Sequence, residues 1–219
     1  MGPSEIESEK RAAAEAAAEL VAGGMTVGLG TGSTVAHLLP ALAERKLDVR
    51  CVATSPATQS AAAGLGLSVE PFERLDRLDI AIDGADQVAP DGWLVKGGGG
   101  AHTREKIVAA AAERFVVIVD STKLVDAIGA PIPLELETFG LRATLRELGN
   151  VTLCDAPPSP DGGVLADYRG EVGDPAELAE RLATIPGVVE HGLFAPELVS
   201  EVLVGRGGEV ERMLDAGGG

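Results

Sequence analysis

The sequence predicts an α/β fold with an open, mostly parallel sheet and a smaller α+β domain. Short apolar runs such as FVVIVD at 115–120 are typical of strands buried on both faces, and helical segments separate them. After Ala130-Pro131 the pattern changes to strand, helix, strand, strand, helix, strand over about sixty residues, which is typical of a ferredoxin-like domain.

Helices and strands alternate in the first part of the chain. A polar, Ala-rich helix is expected from Ser4 to about Ala22, because Gly23-Gly24 is a helix stop signal. The elements expected after it are a strand at 25–30, a helix at 33–43, a strand at 49–54, a helix at 57–63, a strand at 78–83, a helix at 103–114 and a strand at 115–120. A last strand at 199–204 is expected to return to the same sheet.

The second part of the chain predicts a separate domain. Its expected elements are strands at 134–137, 151–155, 164–168 and 187–194, with helices at 141–148 and 175–184. Asp174 is the expected N-cap of the second helix, and Pro175 suits its first turn. We therefore expect a Rossmann-like domain from residues 1–130 plus 195–219 and a ferredoxin-like lid from residues 131–194. The Gly-rich end at 217–219 is expected to fray.

Composition excludes several classes of protein. The 219 residues include 34 acidic and 18 basic side chains, a formal net charge of −16, so nucleic acid is not an expected partner. An apolar fraction of 45% excludes general disorder, and 3% aromatic residues predicts an aliphatic core. No signal peptide or membrane-spanning run is visible, so we expect a cytoplasmic protein without a membrane partner. The two cysteines and three histidines lack metal-ligand spacing, so no metal site is expected.

A Gly-rich loop, GLGTGST at 28–34, lies between a predicted strand and a predicted helix. Such a loop brings backbone N–H groups to a helix N-terminus, where they favour an anion. The candidate phosphate-binding residues are Thr31, Gly32, Ser33 and Thr34. The loop lacks the Lys of a Walker motif and the spacing of a dinucleotide fingerprint. A merely tight turn is the alternative interpretation.

Two carboxylates, Asp83 and Asp86, lie at the end of the predicted strand 78–83. Ligands of open α/β sheets bind outside the carboxyl ends of the strands. Two close acids there can hold different protonation states and can bind sugar hydroxyls. The alternative is a local turn in which an Asp side chain caps the backbone.

Four consecutive glycines follow Lys96 and precede a predicted helix start. Because glycine is costly in chain entropy, the run predicts a backbone that lies close to another group, and we count Gly97 and Gly98 among the substrate-binding residues. Glu105 falls in the first turn of the helix, where a carboxylate is also favoured by the helix dipole alone. His102 is expected to border the site without acting in it.

A fourth element, DSTK at 120–123, again follows a predicted strand. Lys123 is a candidate for a cation at the phosphate site, and a solvated loop lysine is the alternative. The hydroxyls of Thr54, Ser55 and Thr58 lie at a further strand end.

The segments GLGTGSTVAH, DGADQV, KGGGGAHTREKIVA and VDSTKLVD together resemble the type A ribose-5-phosphate isomerase family. The four motifs occur in the order of that family, and the similarity runs from about Lys10 to about Gly205. The resemblance implies interconversion of D-ribose 5-phosphate and D-ribulose 5-phosphate in the non-oxidative pentose phosphate pathway. It also implies an α/β domain with a ferredoxin-like lid, a homodimer or homotetramer, and no metal or organic cofactor.

The resemblance also assigns roles to residues. It implies that Glu105 is the general base and that Asp83, Asp86 and Lys96 are the other catalytic residues. The phosphate-binding positions it implies are Thr31, Gly32, Ser33, Thr34, Lys123 and Lys10. His102 departs from the family, which usually has an apolar residue at this position.

Three other functions compete with an isomerase. A sugar-phosphate sensor would need a DNA-binding helix pair and a basic face, and neither is visible. A Schiff-base enzyme acting through Lys96 would form an imine that borohydride reduces, whereas an enediolate enzyme would not. An NAD-dependent oxidoreductase is disfavoured because Thr54-Ser55 stand where that class has an acid.

Overall fold

A computed structural model describes residues 2–214 of the chain. Its helices are α1 (Pro3–Ala18), α2 (Ser33–Glu44), α3 (Pro56–Gly64), α4 (His102–Ala111), α5 (Leu141–Leu148) and α6 (Pro175–Ala183). Its strands are β1 (Thr26–Leu29), β2 (Arg50–Ala53), β3 (Ser68–Val69), β4 (Ile80–Asp83), β5 (Gln87–Val88), β6 (Leu94–Val95), β7 (Phe115–Asp120), β8 (Ile132–Leu136), β9 (Val151–Leu153), β10 (Val164–Tyr168), β11 (Val188–His191), β12 (Leu193–Phe194), β13 (Glu201–Arg206) and β14 (Glu209–Leu214). Within this part of the chain, none of the helices combines the length and the apolar character needed to cross a bilayer.

The first of two structural units contains a seven-stranded sheet. The unit comprises the chain up to Ala85, Arg104–Lys123 and the part from Pro196 onward. The strand order is β14-β13-β7-β4-β1-β2-β3, and every neighbouring pair is parallel except the β13–β14 hairpin. The predicted open, mostly parallel sheet is therefore confirmed.

An aliphatic core holds this sheet against its helices. All six residues of β7 are buried, as the apolar run predicts for a strand covered on both faces. Helix α1 buries an alanine face, and α2 buries leucines such as Leu38 and Leu42 against Ile80 and Ile82 of β4. Burial of these side chains removes apolar area from water and is the main favourable term in the stability of the unit.

The second unit contains the antiparallel sheet that the sequence predicts. The unit comprises Asp86–Thr103 and Leu124–Ala195. Its chain order β8-α5-β9-β10-α6-β11 and its sheet order β11-β8-β10-β9 are those of a ferredoxin-like domain. Asp174 caps α6, because its carboxylate accepts the Ala176 N–H at 2.8 Å. A second, three-stranded sheet of order β12-β6-β5 was not expected.

Several predicted boundaries are wrong. The first helix ends at Ala18, short of Ala22, because the chain then forms i→i−3 hydrogen bonds, as from Leu20 N–H to the Ala17 carbonyl (3.0 Å). The helix expected to reach residue 114 ends at Ala111, where the backbone instead pairs with Leu78 (Leu78 N–H to Ala111 O, 3.0 Å).

The strand expected at 187–194 is two strands. Gly192 separates β11 from β12, since its N–H donates to the Pro133 carbonyl (2.7 Å) and its own carbonyl accepts the Lys96 N–H (2.8 Å). The chain therefore leaves the four-stranded sheet at this glycine and joins the three-stranded one.

The ends of the chain and the domain limits also differ from expectation. The last strand, β13, continues through a turn into the unpredicted strand β14. The predicted domain boundary assigned residues 86–103 and 124–130 to the larger domain, whereas these segments belong to the second unit. The expected fraying at 217–219 lies outside the described residues.

Asp79 joins the starts of two neighbouring strands in the first unit. Its carboxylate accepts hydrogen bonds from the Thr26 N–H (2.6 Å) and the Thr26 hydroxyl (2.8 Å). The Thr26 N–H, followed by the hydroxyl, holds the pKa of Asp79 below its ordinary value of 3.8. A carboxyl whose pKa is lowered on folding stabilises the fold above its unfolded pKa and loses that contribution as the pH falls through the folded pKa.

We predict that Asp79→Asn lowers the free energy of unfolding at pH 7 by about 1–3 kcal/mol, the cost of disrupting hydrogen bonds to a charged group. Below an ordinary pKa of 3.8 the difference between wild type and variant should shrink as the wild-type carboxylate is protonated. Urea unfolding across this pH range measures both effects. The exposed neighbour Asp76 supplies the matched control, Asp76→Asn. Equal stability of wild type and Asp79→Asn at pH 7 would contradict the prediction.

Candidate active site

The carboxylate of Asp83 lies where a side chain at position 30 would otherwise be. Strands β1 and β4 are parallel neighbours, with Leu29 opposite Ile82, so Gly30 and Asp83 follow at the same edge of the sheet. A Cβ added to Gly30 would overlap the Asp83 carboxylate, so only glycine permits this packing. Asp83 is 2% exposed.

Asp83 connects the Gly-rich loop to the end of β4. Its Oδ1 accepts the N–H of Thr31 at 3.0 Å and the N–H of its neighbour Gly84 at 2.7 Å. The contact with Gly84 is local, as the turn interpretation predicts, but the contact with Thr31 is not. The loop and the first predicted acid therefore form one hydrogen-bonded structure.

Hydroxyl groups link the Gly-rich loop to the next strand end. The Thr31 hydroxyl lies 2.8 Å from that of Thr54 and 3.4 Å from that of Thr58. Thr58 donates its hydroxyl proton to the Gly30 carbonyl (2.9 Å), and Ser55 caps α3 by accepting the Thr58 N–H (3.2 Å). These side chains position the loop after β1, which limits their availability to a ligand.

The start of α2 presents the other residues of the predicted phosphate site. Gly32 is the N-cap and Ser33 the first helical residue, and both are exposed, whereas the side chain of Thr34 is buried. The first N–H groups of a helix have no partner within it and carry its positive dipole end. This end of α2 therefore suits a phosphate.

The two lysines predicted to bind phosphate both belong to the first unit. Lys123 ends a short 3₁₀ turn, Ser121–Lys123, directly after β7, and it forms no ion pair within residues 2–214. Lys10 is paired instead, since its ammonium donates to the Glu7 carboxylate at 2.7 Å. Glu7 also lies 2.9 Å from His37 Nε2, and its hydrogen bonds, first with Lys10 and then with His37, lower its pKa.

Glu105 is the fourth residue of α4 and belongs to the first unit. Its side chain is 3% exposed. A first-turn acid whose only role is to interact favourably with the helix dipole would be exposed to solvent. The burial of Glu105 therefore favours the functional interpretation.

The remaining predicted residues belong to the second unit. Asp86 is exposed, and its Oδ2 accepts the Gly98 N–H at 2.8 Å. Lys96 is 2% exposed, and its ammonium lies 5.4 Å from the centroid of the Phe194 ring. A cation over an aromatic face is stabilised most where water is excluded. Phe194 had not been predicted, because only the pairing of β6 with β12 brings it to Lys96.

His102 is fully buried at the start of α4. Its Nε2 lies 3.4 Å from the Glu190 carbonyl, and a Cβ on Gly97 would be 2.7 Å from its Nδ1. The imidazole therefore packs under the glycine loop.

A cavity of about 400 Å³ lies within the second unit. Asp86, Gly97 and Gly98 form part of its wall, together with Cys154 and Leu165, which the sequence did not indicate. Burial, followed by the negative charge of Asp167, raises the pKa of the Cys154 thiol above its ordinary value. Within the described residues, no group of three or more His, Cys, Asp or Glu side chains is arranged to hold a metal ion.

The chain is similar to proteins of one family in both sequence and structure. The family described as ribose 5-phosphate isomerase A (phosphoriboisomerase A) matches residues 50–209. The ribose-5-phosphate isomerase A of Rhodopseudomonas palustris (strain TIE-1) is 45% identical over 222 residues, which cover 92% of this chain and 96% of the relative.

Solved structures agree with the sequence comparison. The ribose 5-phosphate isomerase A of Methanocaldococcus jannaschii superposes with a TM-score of 0.88 at 35% identity, covering 94% of this chain and 97% of that one. A D-ribose-5-phosphate isomerase in complex with phospho-erythronic acid gives 0.90 at 33% identity, covering 98% and 100%. The chain belongs to the ribose 5-phosphate isomerase A family.

Proposed function

We propose that this protein interconverts D-ribose 5-phosphate and D-ribulose 5-phosphate by proton transfer through an enediolate. The observation that carries the proposal is the hydrogen bond from Thr31 N–H to Asp83, which ties a loop suited to phosphate to a carboxylate suited to sugar chemistry. The names and the 45% identity of the relatives support the same substrate. We further propose a cytoplasmic homodimer or homotetramer, as the family resemblance implies.

The reaction moves a carbonyl between adjacent carbons. In the open-chain aldose, Glu105 removes the proton from C2, and the electron pair forms the C1–C2 double bond of the enediolate. The same carboxyl then returns a proton to C1, while the C2 oxygen becomes the ketone. One buried carboxyl group serves both steps, since the two carbons are neighbours.

Lys96 stabilises the oxyanion that develops during proton removal. Its ammonium is withdrawn from water, and electrostatic attraction is stronger in such a setting than in solution. Asp83 and Asp86 transfer the hydroxyl protons during ring opening and enediolate formation. The Gly98 N–H donates to Asp86, so in this proposal the backbone at Gly97 and Gly98 binds the sugar next to that carboxylate.

Phosphate binding orients the sugar for this chemistry. The first N–H groups of α2, at its exposed start of Gly32 and Ser33, and the Ser33 hydroxyl supply donors. The ammonium groups of Lys123 and Lys10 supply charge. The N–H and hydroxyl of Thr31 are already engaged by Asp83 and Thr54, and the Thr34 side chain is buried, so these two residues shape the loop. Because the phosphate takes no part in bond making, its binding energy fixes the position of the reacting carbons.

A Schiff-base reaction at Lys96 is the second candidate, because a buried lysine suits a nucleophilic amine. The Lys96 ammonium lies 5.4 Å from the centroid of the Phe194 ring, a contact that suits a cation and supports the electrostatic role. Borohydride added with ribose 5-phosphate should leave the enzyme active and unlabelled by mass spectrometry. Covalent labelling of Lys96 would establish the imine route instead.

We predict that Glu105→Gln lowers kcat by about 10³-fold, because the variant lacks the general base. KM should change little, since the phosphate contacts are unaltered. Ribulose 5-phosphate formation gives the rates, and Glu113→Gln, which alters an exposed carboxylate just after α4, is the matched control. A Glu105→Gln variant with near wild-type kcat would remove Glu105 from this role.

Solvent deuterium should enter the substrate during turnover. In deuterated water, NMR of ribose 5-phosphate with the enzyme is expected to show deuterium at C2 of the aldose, because the carboxyl proton exchanges with solvent. Conversion in which the proton from C2 is transferred completely to C1, with no deuterium uptake even in partly converted aldose, would contradict exchange at the carboxyl and favour a hydride shift.

Gly30→Ala is expected to displace Asp83, because the new Cβ overlaps its carboxylate. We predict a loss of about 1–3 kcal/mol in unfolding free energy, as for other overpacked sites, and a fall in kcat/KM beyond what unfolding explains. Gly64→Ala is the control, since an added Cβ there has no atom within 4 Å. Unaltered activity in a folded Gly30→Ala variant would show that the position of Asp83 is not required.

A further inference from the structure

Glu9 is a buried carboxylate that the proposed reaction does not use. It lies in α1, whose other buried residues are all alanines, and it is 3% exposed. A carboxylate in such a position is costly unless hydrogen bonds replace its lost hydration. Its partners therefore indicate why it is tolerated.

Three hydrogen bonds hold the Glu9 carboxylate. Its Oε2 accepts from the N–H (3.0 Å) and the hydroxyl (2.7 Å) of Ser121, and its Oε1 accepts the Gly207 N–H at 3.0 Å. Burial raises the pKa of Glu9, but the hydrogen bonds from Gly207 and Ser121 outweigh it, so the pKa lies below its ordinary value. Glu9 is thus an anion at neutral pH.

The partner Ser121 begins the short turn that ends at Lys123. The next residue of the turn, Thr122, donates its N–H (3.1 Å) and its hydroxyl to Oδ1 of Asp120, which is fully buried. Two buried carboxylates therefore hold two consecutive residues of this turn, and Lys123 follows directly.

Close packing fixes Glu9 itself. Gly205 of β13 lies opposite Asp120 of β7, and a Cβ on Gly205 would overlap the backbone carbonyl of Glu9. Helix α1 therefore approaches the sheet as closely as its backbone allows at this point. This packing fixes the position of the Glu9 carboxylate relative to the Ser121–Lys123 turn.

We propose that Glu9 is a positioning residue for phosphate binding, which holds the Ser121–Lys123 turn so that the Lys123 ammonium faces the substrate phosphate. This inference rests on the proposed function. Glu9 also precedes Lys10 in α1, so one residue connects the two elements that carry the phosphate-binding lysines. In Glu9→Gln, an amide NH₂ replaces one of the two accepting oxygens. The NH₂ is itself a donor, so the hydrogen bonds either from Ser121 or from Gly207 are lost.

The test compares wild type with Glu9→Gln, Ser121→Ala and Glu15→Gln. Ser121→Ala removes only the hydroxyl donor, and Glu15→Gln makes the same chemical change at an exposed site of α1. The measurements are KM and kcat for ribose 5-phosphate, the inhibition constant of inorganic phosphate, and thermal unfolding.

Glu9→Gln should raise KM and the phosphate inhibition constant by about tenfold with kcat unchanged, the scale of one hydrogen bond to a charged group. Ser121→Ala should raise both constants by a smaller factor, and Glu15→Gln should match wild type. A folded Glu9→Gln variant with wild-type constants, or a fall in kcat alone, would overturn the proposal. If Glu9→Gln does not fold, Ser121→Ala decides in the same way.

Failure of the isomerase assignment is distinguishable from failure of this inference. A wild-type protein without ribose 5-phosphate turnover would contradict the proposed function only. Calorimetric titration of wild type and variants with inorganic phosphate then tests Glu9 directly. Equal phosphate affinity in wild type and Glu9→Gln would contradict the positioning role.

Discussion

The packing of the Asp83 carboxylate against the backbone of Gly30 is the constraint on which the candidate site residues of the first unit depend. Parallel strands end at the same edge of a sheet, so β1 and β4 bring these residues together without any long loop. The hydrogen bond to the Thr31 N–H then couples the two strand ends. A displacement of the acid would displace the loop that starts α2. One contact therefore sets the positions of both the proposed catalytic acid and the loop proposed to bind phosphate.

The sequence was most informative where local pattern and tertiary structure agree. The limits of β7 and α5 are as predicted, because a six-residue apolar run and flanking glycines define them without reference to other elements. The two-residue strands β5, β6 and β12 have no periodicity to detect and exist only through pairing with each other. The limits of the second unit follow from these pairings, which is why its extent was underestimated.

For the candidate site, residue types were predictable and environments were not. Strand ends and glycine runs indicated Lys96 and Glu105, but nothing in the sequence shows that both side chains are almost fully buried. The Phe194 ring near Lys96 and the Ser121 donors of Glu9 lie far along the chain from their partners. Such contacts depend on the order of the strands in the sheets, which is difficult to predict from a single sequence.

A protein with a net charge of −16 repels a phosphate ester on average. Acidic groups near the proposed phosphate site therefore need hydrogen-bond donors or cations of their own. Glu9 is satisfied by N–H and hydroxyl donors and competes with the substrate for no lysine. Glu7 instead pairs with Lys10, so phosphate at Lys10 competes with an exposed carboxylate, whose attraction solvent weakens. Lys123 forms no ion pair in the described chain, so we expect it to bind phosphate more strongly than Lys10 does, while Glu9 and Asp120 hold the two residues before it.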